Sequence, residues 1–521
     1  MTRVKVLSCL AAILCLAQTP LLVAQSQYAR RLVMPGSSIA RPEDKGLRAH
    51  TNFILSLGTE SAAPSSILET PASIACIYKL VTPVTGCPIG TTYLTPTGGS
   101  GAIAIVDAYD DPNAASDLAV FSNEFGLPAA NFSVVYASGS RPSQDPTGQW
   151  EFEESLDIEW AHAMAPGAYI YLVEAASTSN SDLFAAVNVA SSLVASAGGG
   201  EVSMSFAQNE FSGETSLDGH FGTNGVLYVA SSGDTSFAKE YPAMSPNVVA
   251  AGGTNIVRDA SGNLSSEQYW ADGGGGISQY ESRPTYQAGI ASIVGTHRGA
   301  PDISAVASAQ YNGATSGVAV YDSIPYNGSV LGWAGAVGTS VSAPVLAGRL
   351  NHDAPFYSSP GFLSVAYGEY ANATQYPEFF KDVTVGNANC KTGWDICNGI
   401  GVPLGYNNAS KTPAIINFGT FNGLLSCTTS RSSTVTVTNT TPYTLSISSA
   451  SLSNTNSGAF SVTNNCGSVA VNGSCTVTVN FHGTSSIQGA NTGTLLITSN
   501  AWTSPMFTPV SATVNEDCNG H

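Results

Sequence analysis

The stretch Ala102-Ile103-Ala104-Ile105-Val106 decides the fold class, because an unbroken apolar run of this length is typical of a strand buried on both faces of a parallel sheet. The segment after it, 115–125, has the apolar spacing of a helix. Strands and helices continue to alternate along the chain. We predict strands at 168–173, 226–230 and 248–251, and helices at 153–164 and 181–197. This order predicts an α/β domain with a parallel sheet flanked by helices.

The pattern changes near residue 411. Polar and apolar residues then alternate in short runs separated by Asn, Gly and Ser, which predicts an all-β sandwich over 411–521 of immunoglobulin-like size. Asn464-Asn465-Cys466-Gly467 and Gly473-Ser474-Cys475 resemble the hydin-type Ig-like modules of secreted bacterial proteins. This segment shows no catalytic cluster, so we expect it to act as a spacer, a stabiliser or an attachment module.

Composition excludes several classes of protein. Of 521 residues 43% are hydrophobic and 10% charged, which excludes a disordered chain. The formal net charge of −18 leaves no basic surface for a phosphate backbone, so we expect no nucleic-acid partner. The sequence does not indicate an oligomeric state.

The first residues have the order of a secretory signal. Two basic residues precede an apolar run at 6–16, and small residues lead to a cleavage point after Ala24. A membrane anchor is the alternative, but a glutamine and a proline interrupt the run before the length of about 18 residues that a span needs. We predict a signal at 1–24, a lead at 25–50, and a secreted, extracellular protein without a membrane span.

Cysteine number fits export. Ten cysteines are present, of which Cys9 and Cys15 lie in the predicted signal, and the even number that remains suggests disulfides. The expected pairs are three close ones and one by elimination: Cys76 with Cys87, Cys390 with Cys397, Cys466 with Cys475, and Cys427 with Cys518. None has a zinc-binding spacing, so we interpret them as structural.

A serine loop is the first candidate for chemistry. Gly338-Thr339-Ser340-Val341-Ser342-Ala343-Pro344 leads into a helical segment, where backbone N–H groups can face a developing anion. The first three residues alone could be a helix cap, but the longer string resembles the serine loop of subtilisin-like and sedolisin-like peptidases. A subtilisin-type enzyme needs a histidine base in a His-Gly-Thr-His element. None of the seven histidines has this context, and Gly295-Thr296-His297 matches it only in part.

Carboxyl groups offer another base. Glu153 and Asp157 are one helical turn apart, close enough to share a proton, although an isolated pair of this kind is usually a solvated acidic face. Asp234 ends the string Ser232-Gly233-Asp234 after a predicted strand, where α/β sheets place their sites. Together with Ser340 these residues form a candidate active site.

Seven strings in the same order resemble the sedolisin/kumamolisin family of serine-carboxyl peptidases. They are Glu153-Glu154-Ser155-Leu156-Asp157, Ser232-Gly233-Asp234, Tyr241-Pro242-Ala243, Gly252-Gly253-Thr254, Gly273-Gly274-Gly275-Gly276-Ile277-Ser278, Pro301-Asp302-Ile303-Ser304 and Gly338-Thr339-Ser340. The resemblance implies a subtilisin-like peptidase domain over 51–410. It implies that Ser340 is the nucleophile, Glu153 the general base and acid, Asp157 its partner, and Asp234 the carboxylic acid that donates to the oxyanion.

The implied function is a secreted endopeptidase that hydrolyses peptide bonds of proteins or peptides at acidic pH. A carboxyl base suits acid because a histidine would already be protonated there. Two alternatives stay open: a tripeptidyl exopeptidase, and a catalytically silent, peptidase-like binding or adhesion protein. The intact set of Glu153, Asp157, Asp234 and Ser340 argues against the silent alternative.

The resemblance also implies one structural Ca²⁺ ion. Its ligands would be the carboxylates of Asp382 and Asp395 and the carbonyls of Val383 and Gly393, the hard oxygen donors that Ca²⁺ prefers. Lys391 stands where the family usually has glycine, and the loop is short. An ordinary acidic loop is the alternative.

Other acidic and polar residues receive structural interpretations. We expect the stretch 107–112 to form a turn and a helix cap. We expect Asp302 to be a structural hydrogen-bonding acid, and Glu159 and His162 to pack around the catalytic helix.

Overall fold

The computed structural model describes most of the chain after the predicted signal. The described residues are 30–58, 62–81, 83–90, 95–352, 358–373, 376–404, 409–413, 415–422, 428–439, 444–453, 455, 458–470, 473–484, 487–499 and 506–515. They form two compact units that divide after Leu404. The predicted boundary between 410 and 411 lies close to this point and stays a prediction. The signal, Cys427 and Cys518 lie outside the described residues.

The helices of the first unit include the three expected from the sequence. The α-helices in the described residues are α1 Pro71–Ile77, α2 Ala114–Phe125, α3 Gln149–Met164, α4 Asn180–Ser196, α5 Ala291–Val294, α6 Thr339–Asn351, α7 Ser359–Tyr370 and α8 Tyr376–Phe379. No described helix is long and apolar enough to cross a membrane.

The strands of the first unit include the predicted ones. In chain order they are β1 Arg31–Val33, β2 His50–Thr51, β3 Ile54–Leu57, β4 Ala102–Ala108, β5 Asn131–Tyr136, β6 Tyr169–Ala175, β7 Gly200–Met204, β8 Phe206–Asn209, β9 Val226–Ser231, β10 Glu240–Tyr241, β11 Val249–Arg258, β12 Leu264–Tyr269, β13 Gly276–Ser282, β14 His297–Ala300, β15 Ile303–Tyr311, β16 Ala314–Thr315, β17 Val318–Tyr326, β18 Ser329–Val337, β19 Phe380–Lys381 and β20 Val402–Pro403.

The central sheet has the order β16-β15-β11-β9-β7-β4-β6-β5, with β12 added at β11. All pairs from β5 to β15 are parallel. Two smaller sheets, β1-β3-β18-β17 and β10-β8-β2, include the strands of the lead. The predicted parallel α/β architecture is confirmed.

Strand β4 is buried on both faces, as its apolar run predicts. Ala104 and Val106 join the apolar cluster of helix α4, where Leu183 and Val187 pack against them. Because side chains alternate along a strand, the equally buried Ile105 faces the opposite side, where α3 and α6 contact the sheet. The catalytic candidates on α3 and α6 are therefore held against one face of the sheet.

The second unit consists of two β-sheets. Its strands are β21 Ala409–Thr412, β22 Ile416–Phe421, β23 Thr428–Asn439, β24 Leu445–Ser453, β25 Phe460–Asn464, β26 Ser468–Val469, β27 Ser474–Thr484, β28 Gly489–Ser499 and β29 Met506–Val514. Their orders are β21-β23-β27-β25 and β22-β29-β28-β24-β26. Both sheets contribute to one apolar cluster, with Val435 and Val477 from the first and Leu495 and Val510 from the second. The predicted β domain is confirmed, and its immunoglobulin-like class stays a prediction.

Disulfides form at the three close cysteine pairs. Cys76 is bonded to Cys87, Cys390 to Cys397, and Cys466 to Cys475. These three predicted pairs are confirmed, and the fourth lies outside the described residues.

Asp302 is a structural acceptor in a buried ion pair. Its carboxylate accepts hydrogen bonds from the Arg298 guanidinium at 2.7 and 3.0 Å and from the Ala250 backbone N–H at 2.9 Å. Both partners of the ion pair have 0% side-chain exposure. The pair therefore joins β14 to the start of β15 and to β11 inside the fold.

We expect Asp302→Asn to lower the free energy of unfolding by about 3–5 kcal/mol, because the variant leaves a buried guanidinium without its counter-charge. Urea unfolding of Ser340→Ala protein with and without the change measures this loss. Glu124→Gln, which alters an exposed carboxyl, is the matched control and should change stability by less than about 0.5 kcal/mol. Equal losses in the two variants would contradict the role given to the ion pair.

Candidate active site

Helix α3 places two carboxyl groups inside the protein. All 16 of its residues are buried, so the helix contacts protein on every side. Glu153 and Asp157 lie one turn apart on the same face and are each 0% exposed. This placement agrees with the predicted pairing of the two side chains. It excludes the alternative of a solvated acidic helix face, because both side chains are buried.

Ser340 is the second residue of α6, and Gly338 sets the backbone conformation directly before this helix. Gly338 precedes the helix with a φ of 140°, which favours glycine, and its N–H donates to the Ala307 carbonyl at 2.7 Å. The Ser340 hydroxyl lies close enough to the Glu153 carboxyl to lower the pKa of that group in part. Neither Glu153 oxygen accepts a hydrogen bond from a described residue, and the Ser340 hydroxyl donates to the Ser205 carbonyl at 3.3 Å.

Ser205 is a site residue that sequence analysis missed. Its hydroxyl donates to Asp157 Oδ1 at 2.9 Å, and its carbonyl accepts from the Ser340 hydroxyl. It directly follows β7, one of the central parallel strands. A small polar residue at the end of a parallel strand was the available signal, but the sequence analysis did not identify β7.

Asp234 faces the start of α6 with one oxygen bonded and the other free. Its Oδ1 accepts from the backbone N–H and from the hydroxyl of Thr339, both at 2.8 Å. Its Oδ2 is buried without a hydrogen-bond partner in the described residues. A Cβ on Gly338 would lie 2.5 Å from this Oδ2, so the free oxygen points into the narrow space beside the serine loop.

Burial controls the protonation of the site. It raises the pKa of Glu153, and the nearby carboxyls of Asp157 and Asp107 raise this pKa further. Burial likewise raises the pKa of Asp157 above its usual range, with the Ser205 hydrogen bond acting in the opposite direction. Burial also raises the pKa of Asp234, although its bonds from Thr339 oppose this. These groups therefore retain protons well above the pH at which exposed carboxyls lose them.

Asp107 extends the group of buried acids. The expected turn is present at Asp111, whose Oδ1 accepts from the Asn113 N–H at 2.8 Å, but no side-chain cap starts α2. Asp107 itself lies within β4, is 0% exposed, and has no described partner for either oxygen. Burial raises the pKa of Asp107, and the neighbouring Asp157 raises it further. The structural interpretation of Asp107 as a turn residue was wrong, because the strand continues through it.

The cleft above Ser340 contains residues of the same chain. Strand β2 pairs antiparallel with β8, and β3 pairs antiparallel with β18. Between these strands, the Asn52 carbonyl accepts from the Ser340 backbone N–H at 2.9 Å, and the Asn52 N–H donates to the Ser340 hydroxyl at 3.1 Å. The same carbonyl oxygen would lie 2.2 Å from a Cβ on Gly338, next to the free oxygen of Asp234. The lead predicted at 25–50 therefore continues directly into the catalytic centre.

The histidine of helix α3 has a structural position. The described hydrogen bonds of the Ser340 hydroxyl involve Asn52 and Ser205 but no histidine. His162 bonds to the Pro128 carbonyl at 2.9 Å, and Glu159 accepts from the Tyr321 N–H at 3.2 Å. Both residues thus hold helix α3 in place, as the sequence analysis expected.

Comparison with known proteins identifies the family. Kumamolisin of Bacillus sp. strain MN-32 is 30% identical over 415 residues, which cover 70% of this chain and 67% of that protein. The chain belongs to the sedolisin family of serine-carboxyl peptidases. Sedolisin of Pseudomonas sp. strain 101 is 27% identical over 350 residues, covering 59% of this chain and 57% of sedolisin.

Other comparisons agree with membership of the sedolisin family. Tripeptidyl-peptidase 1 of Dictyostelium discoideum is 27% identical over 350 residues, covering 60% of this chain and 54% of that protein. A structure of Pseudomonas sedolisin, complexed with two molecules of pseudo-iodotyrostatin, shares the fold with a TM-score of 0.51 and 23% identity, covering 66% of this chain and 96% of that one. The chain thus spans little more than half of two curated relatives and two thirds of kumamolisin. No family model matches the sequence.

The predicted calcium ligands lie in the segment 382–395 of this sedolisin-family chain. Asp382 Oδ2 accepts from the Gly393 N–H at 2.7 Å, which brings these two predicted ligands together. Asp395 accepts from the backbone N–H groups of Lys391, Cys397 and Asn398. Burial raises the pKa of both carboxyls, and Asp382 adds to the rise at Asp395. The Val383 carbonyl accepts from the Asn398 amide at 3.3 Å. Carboxylate and carbonyl oxygens are the ligands that Ca²⁺ prefers, and the calcium site stays a prediction.

We expect the free energy of unfolding to be highest in acid. In the unfolded chain the carboxyl groups lose their protons at a pKa of about 4, whereas in the folded protein the buried carboxyl groups keep them to higher pH. Stability is therefore fully present below about pH 4 and is lost as pH rises through the raised pKa values, which are about 8 for Glu151 and about 9 for Glu174. Urea unfolding of the Ser340→Ala protein between about pH 4 and pH 9 measures this trend. A midpoint that rises with pH would contradict it.

Proposed function

We propose that this chain is an exported serine-carboxyl endopeptidase that hydrolyses peptide bonds of proteins or peptides in acid. The observation that carries the proposal is the position of Ser340, with the buried carboxyl of Glu153 beside its hydroxyl and a backbone N–H beside a peptide carbonyl. The alternative of a silent binding protein has no corresponding support. Ser340, Asp157 and Asp234 all lie near enough to Glu153 to influence its carboxyl, as the peptidase hypothesis requires.

Glu153 acts as the general base and acid. When the Ser340 oxygen attacks a peptide carbonyl carbon, its proton moves to the Glu153 carboxylate. Asp157 and Asp107 lie near Glu153, so the three carboxyl groups titrate together. When Glu153 is ionised, Asp157 or Asp107 remains protonated. Ser205 orients Asp157 through its hydroxyl and so limits the motion of this pair.

Asp234 stabilises the tetrahedral intermediate as a neutral acid. Its free oxygen and the Ser340 N–H lie next to the same peptide carbonyl oxygen, that of Asn52. A proton on Asp234 can be donated to the negative oxygen that develops there, whereas an ionised Asp234 would repel it. Hydrolysis therefore requires the protonation state that burial favours in acid.

The path of the lead through the cleft supports endopeptidase action. On the amino side of Asn52, the chain continues through β2 to Ala49, whose N–H donates to the Thr178 carbonyl at 3.0 Å, and to Arg48, which bridges to Ser179. A tripeptidyl peptidase must recognise a free amino terminus three residues before the cleaved bond. Here the cleft holds a chain that extends past this position.

Export rests on the predicted signal at 1–24. Three disulfides in the described residues are compatible with an oxidising compartment. We therefore place the activity outside the cell.

We expect the chain to hydrolyse a denatured protein in acid, with a rate that falls towards neutral pH. Ser340→Ala and Glu153→Gln should abolish hydrolysis, and Asp234→Ala should lower kcat by about 10²–10³-fold because the oxyanion loses a donor. Glu124→Gln is the control with unchanged activity. Product masses distinguish internal cleavage from the release of tripeptides. Activity that is constant up to about pH 8 would contradict the carboxyl mechanism.

We also propose one structural Ca²⁺ ion at Asp382, Val383, Gly393 and Asp395. Bound to the folded state alone, it would raise the melting temperature. We expect a chelator to lower the Tm of the Ser340→Ala protein, added Ca²⁺ to restore it, and Asp382→Asn to remove both effects. Differential scanning calorimetry measures this, and an equal Tm with chelator and with Ca²⁺ would contradict the site.

A further inference from the structure

The Ser205 side chain lies between the two helices that carry the nucleophile and its proposed base. Its hydroxyl donates to Asp157 Oδ1 of α3 at 2.9 Å and lies 3.4 Å from the Ser340 carbonyl oxygen of α6. The side chains of Ser205, Asp157 and Ser340 are each 0% exposed. Ser205 directly follows β7, which lies between β4 and β9 in the central sheet, so its backbone is held by the interior of the fold.

Pro344 explains why the Ser340 carbonyl is open to a side chain. In an α-helix the carbonyl of one residue accepts from the N–H of the fourth residue after it. The fourth residue after Ser340 is Pro344, which lies inside α6 and has no N–H. The Ser340 carbonyl therefore lacks its usual partner within the helix, and the Ser205 hydroxyl approaches this oxygen instead.

The Ser205 hydroxyl has one hydrogen to share between these two oxygens. The contact with Asp157 Oδ1 is the shorter one, so the hydrogen is directed mainly to the carboxyl group. Asp157 Oδ2 has no hydrogen-bond partner in the described residues, and neither has any oxygen of Glu153. The Ser205 hydrogen thus occupies Oδ1 and leaves Oδ2 for the proton that the two carboxyl groups share.

The backbone of Ser205 contacts the nucleophile as well. Its carbonyl accepts from the Ser340 hydroxyl at 3.3 Å. One residue therefore contacts the nucleophile through its carbonyl and the partner of the base through its hydroxyl. Replacing the side chain removes the second contact and keeps the first.

The charged groups that influence the pair of Glu153 and Asp157 are acids. Those on other elements, acting directly, through Asp107 or on the nearby Glu159, are Asp107 of β4, Glu174 of β6, Asp234, Asp117 of α2 and Asp322 of β17. Burial raises the pKa of Asp157, and the hydrogen bond from Ser205 acts against this rise. The hydroxyl thus favours the ionised form of Asp157 in surroundings that otherwise favour the neutral form.

We propose that Ser205 is a positioning residue that keeps the shared proton on Asp157 Oδ2 and thereby sets the upper pH limit of hydrolysis. This inference rests on the proposed peptidase function. Hydrolysis needs an ionised Glu153 beside a neutral Asp157. When both carboxyl groups are ionised, their charges repel each other and the proton that orients Glu153 is lost. Because a donor at Oδ1 stabilises ionised Asp157, the hydroxyl lowers the pH at which this happens.

The test compares peptide hydrolysis by the full chain and by Ser205→Ala between about pH 3 and pH 8. We expect kcat of the variant to be lower by about tenfold, because Asp157 loses its orientation. KM should stay within about twofold, since the buried hydroxyl does not reach a substrate. The falling limb of kcat/KM should move to higher pH by about half a unit or more, because ionised Asp157 loses a donor.

Two further variants separate hydrogen bonding from packing. Ser205→Cys fills the same space with a weak donor, so its kcat and its pH profile should resemble those of Ser205→Ala. Ser203→Ala is the matched control. It removes a hydroxyl from β7 that is also 0% exposed but has no hydrogen-bond partner in the described residues. Its kcat and its falling limb should equal those of the unaltered chain.

Each other result overturns a defined proposal. A falling limb that does not move in Ser205→Ala would refute the role in the pH limit, even if kcat is lower. Full activity in Ser205→Cys, or loss of its fold by circular dichroism, would show that Ser205 only fills space. An equal shift in Ser203→Ala would refute the specific role of Ser205. All four results leave the peptidase function in place, whereas a folded, unaltered chain without hydrolysis in acid would refute both proposals.

Discussion

Burial of carboxyl groups around helix α3 is the constraint on which the rest of the structure depends. Glu153, Glu154, Asp157 and Glu159 all lie on this one helix and are fully buried, and Asp107 faces them from β4. A low-dielectric interior cannot hold so many negative charges together, so most of them must be neutral in the fold. The same protons are needed for the proposed chemistry. Stability and catalysis therefore depend on pH through the same groups.

Much of the first unit could be predicted from the sequence because its signals are local. The apolar run at 102–106 and the helical spacing after it identify the sheet, and short separations identify the two disulfides of this unit. Glu153 and Asp157 could be paired from their spacing alone. The motif strings then connected them to Asp234 and Ser340, which are far apart in sequence.

The parts that sequence analysis missed depend on contacts between distant segments. Strand β2 has only two residues and is defined by its pairing with β8, more than 150 positions later. No local periodicity could indicate that Asn52 lies against Ser340. Asp107 was misjudged for a related reason. An acid-rich stretch is usually a turn, and only the pairing of Asp107 with Glu174 of β6 shows that the strand runs through it.

The two sides of the Asn52 carbonyl are held in different ways. The carboxyl side enters β3, which lies between β1 and β18 inside a four-stranded sheet. The amino side is held through the short β2 at the edge of a three-stranded sheet, and by contacts such as the Gly46 N–H to Gln208 at 2.7 Å. The part after Asn52 thus belongs to the scaffold, while the part before it resembles a bound ligand.

Thr339 determines which oxygen of Asp234 carries the acid proton. Its hydroxyl accepts from the Gly233 N–H at 3.1 Å, so its single hydrogen is directed to Asp234 Oδ1, which also accepts the Thr339 N–H. An oxygen that already accepts two hydrogens is a poor place for a third. The acid proton is thereby restricted to Oδ2, and a neighbouring hydroxyl selects which of two chemically equivalent atoms becomes the donor.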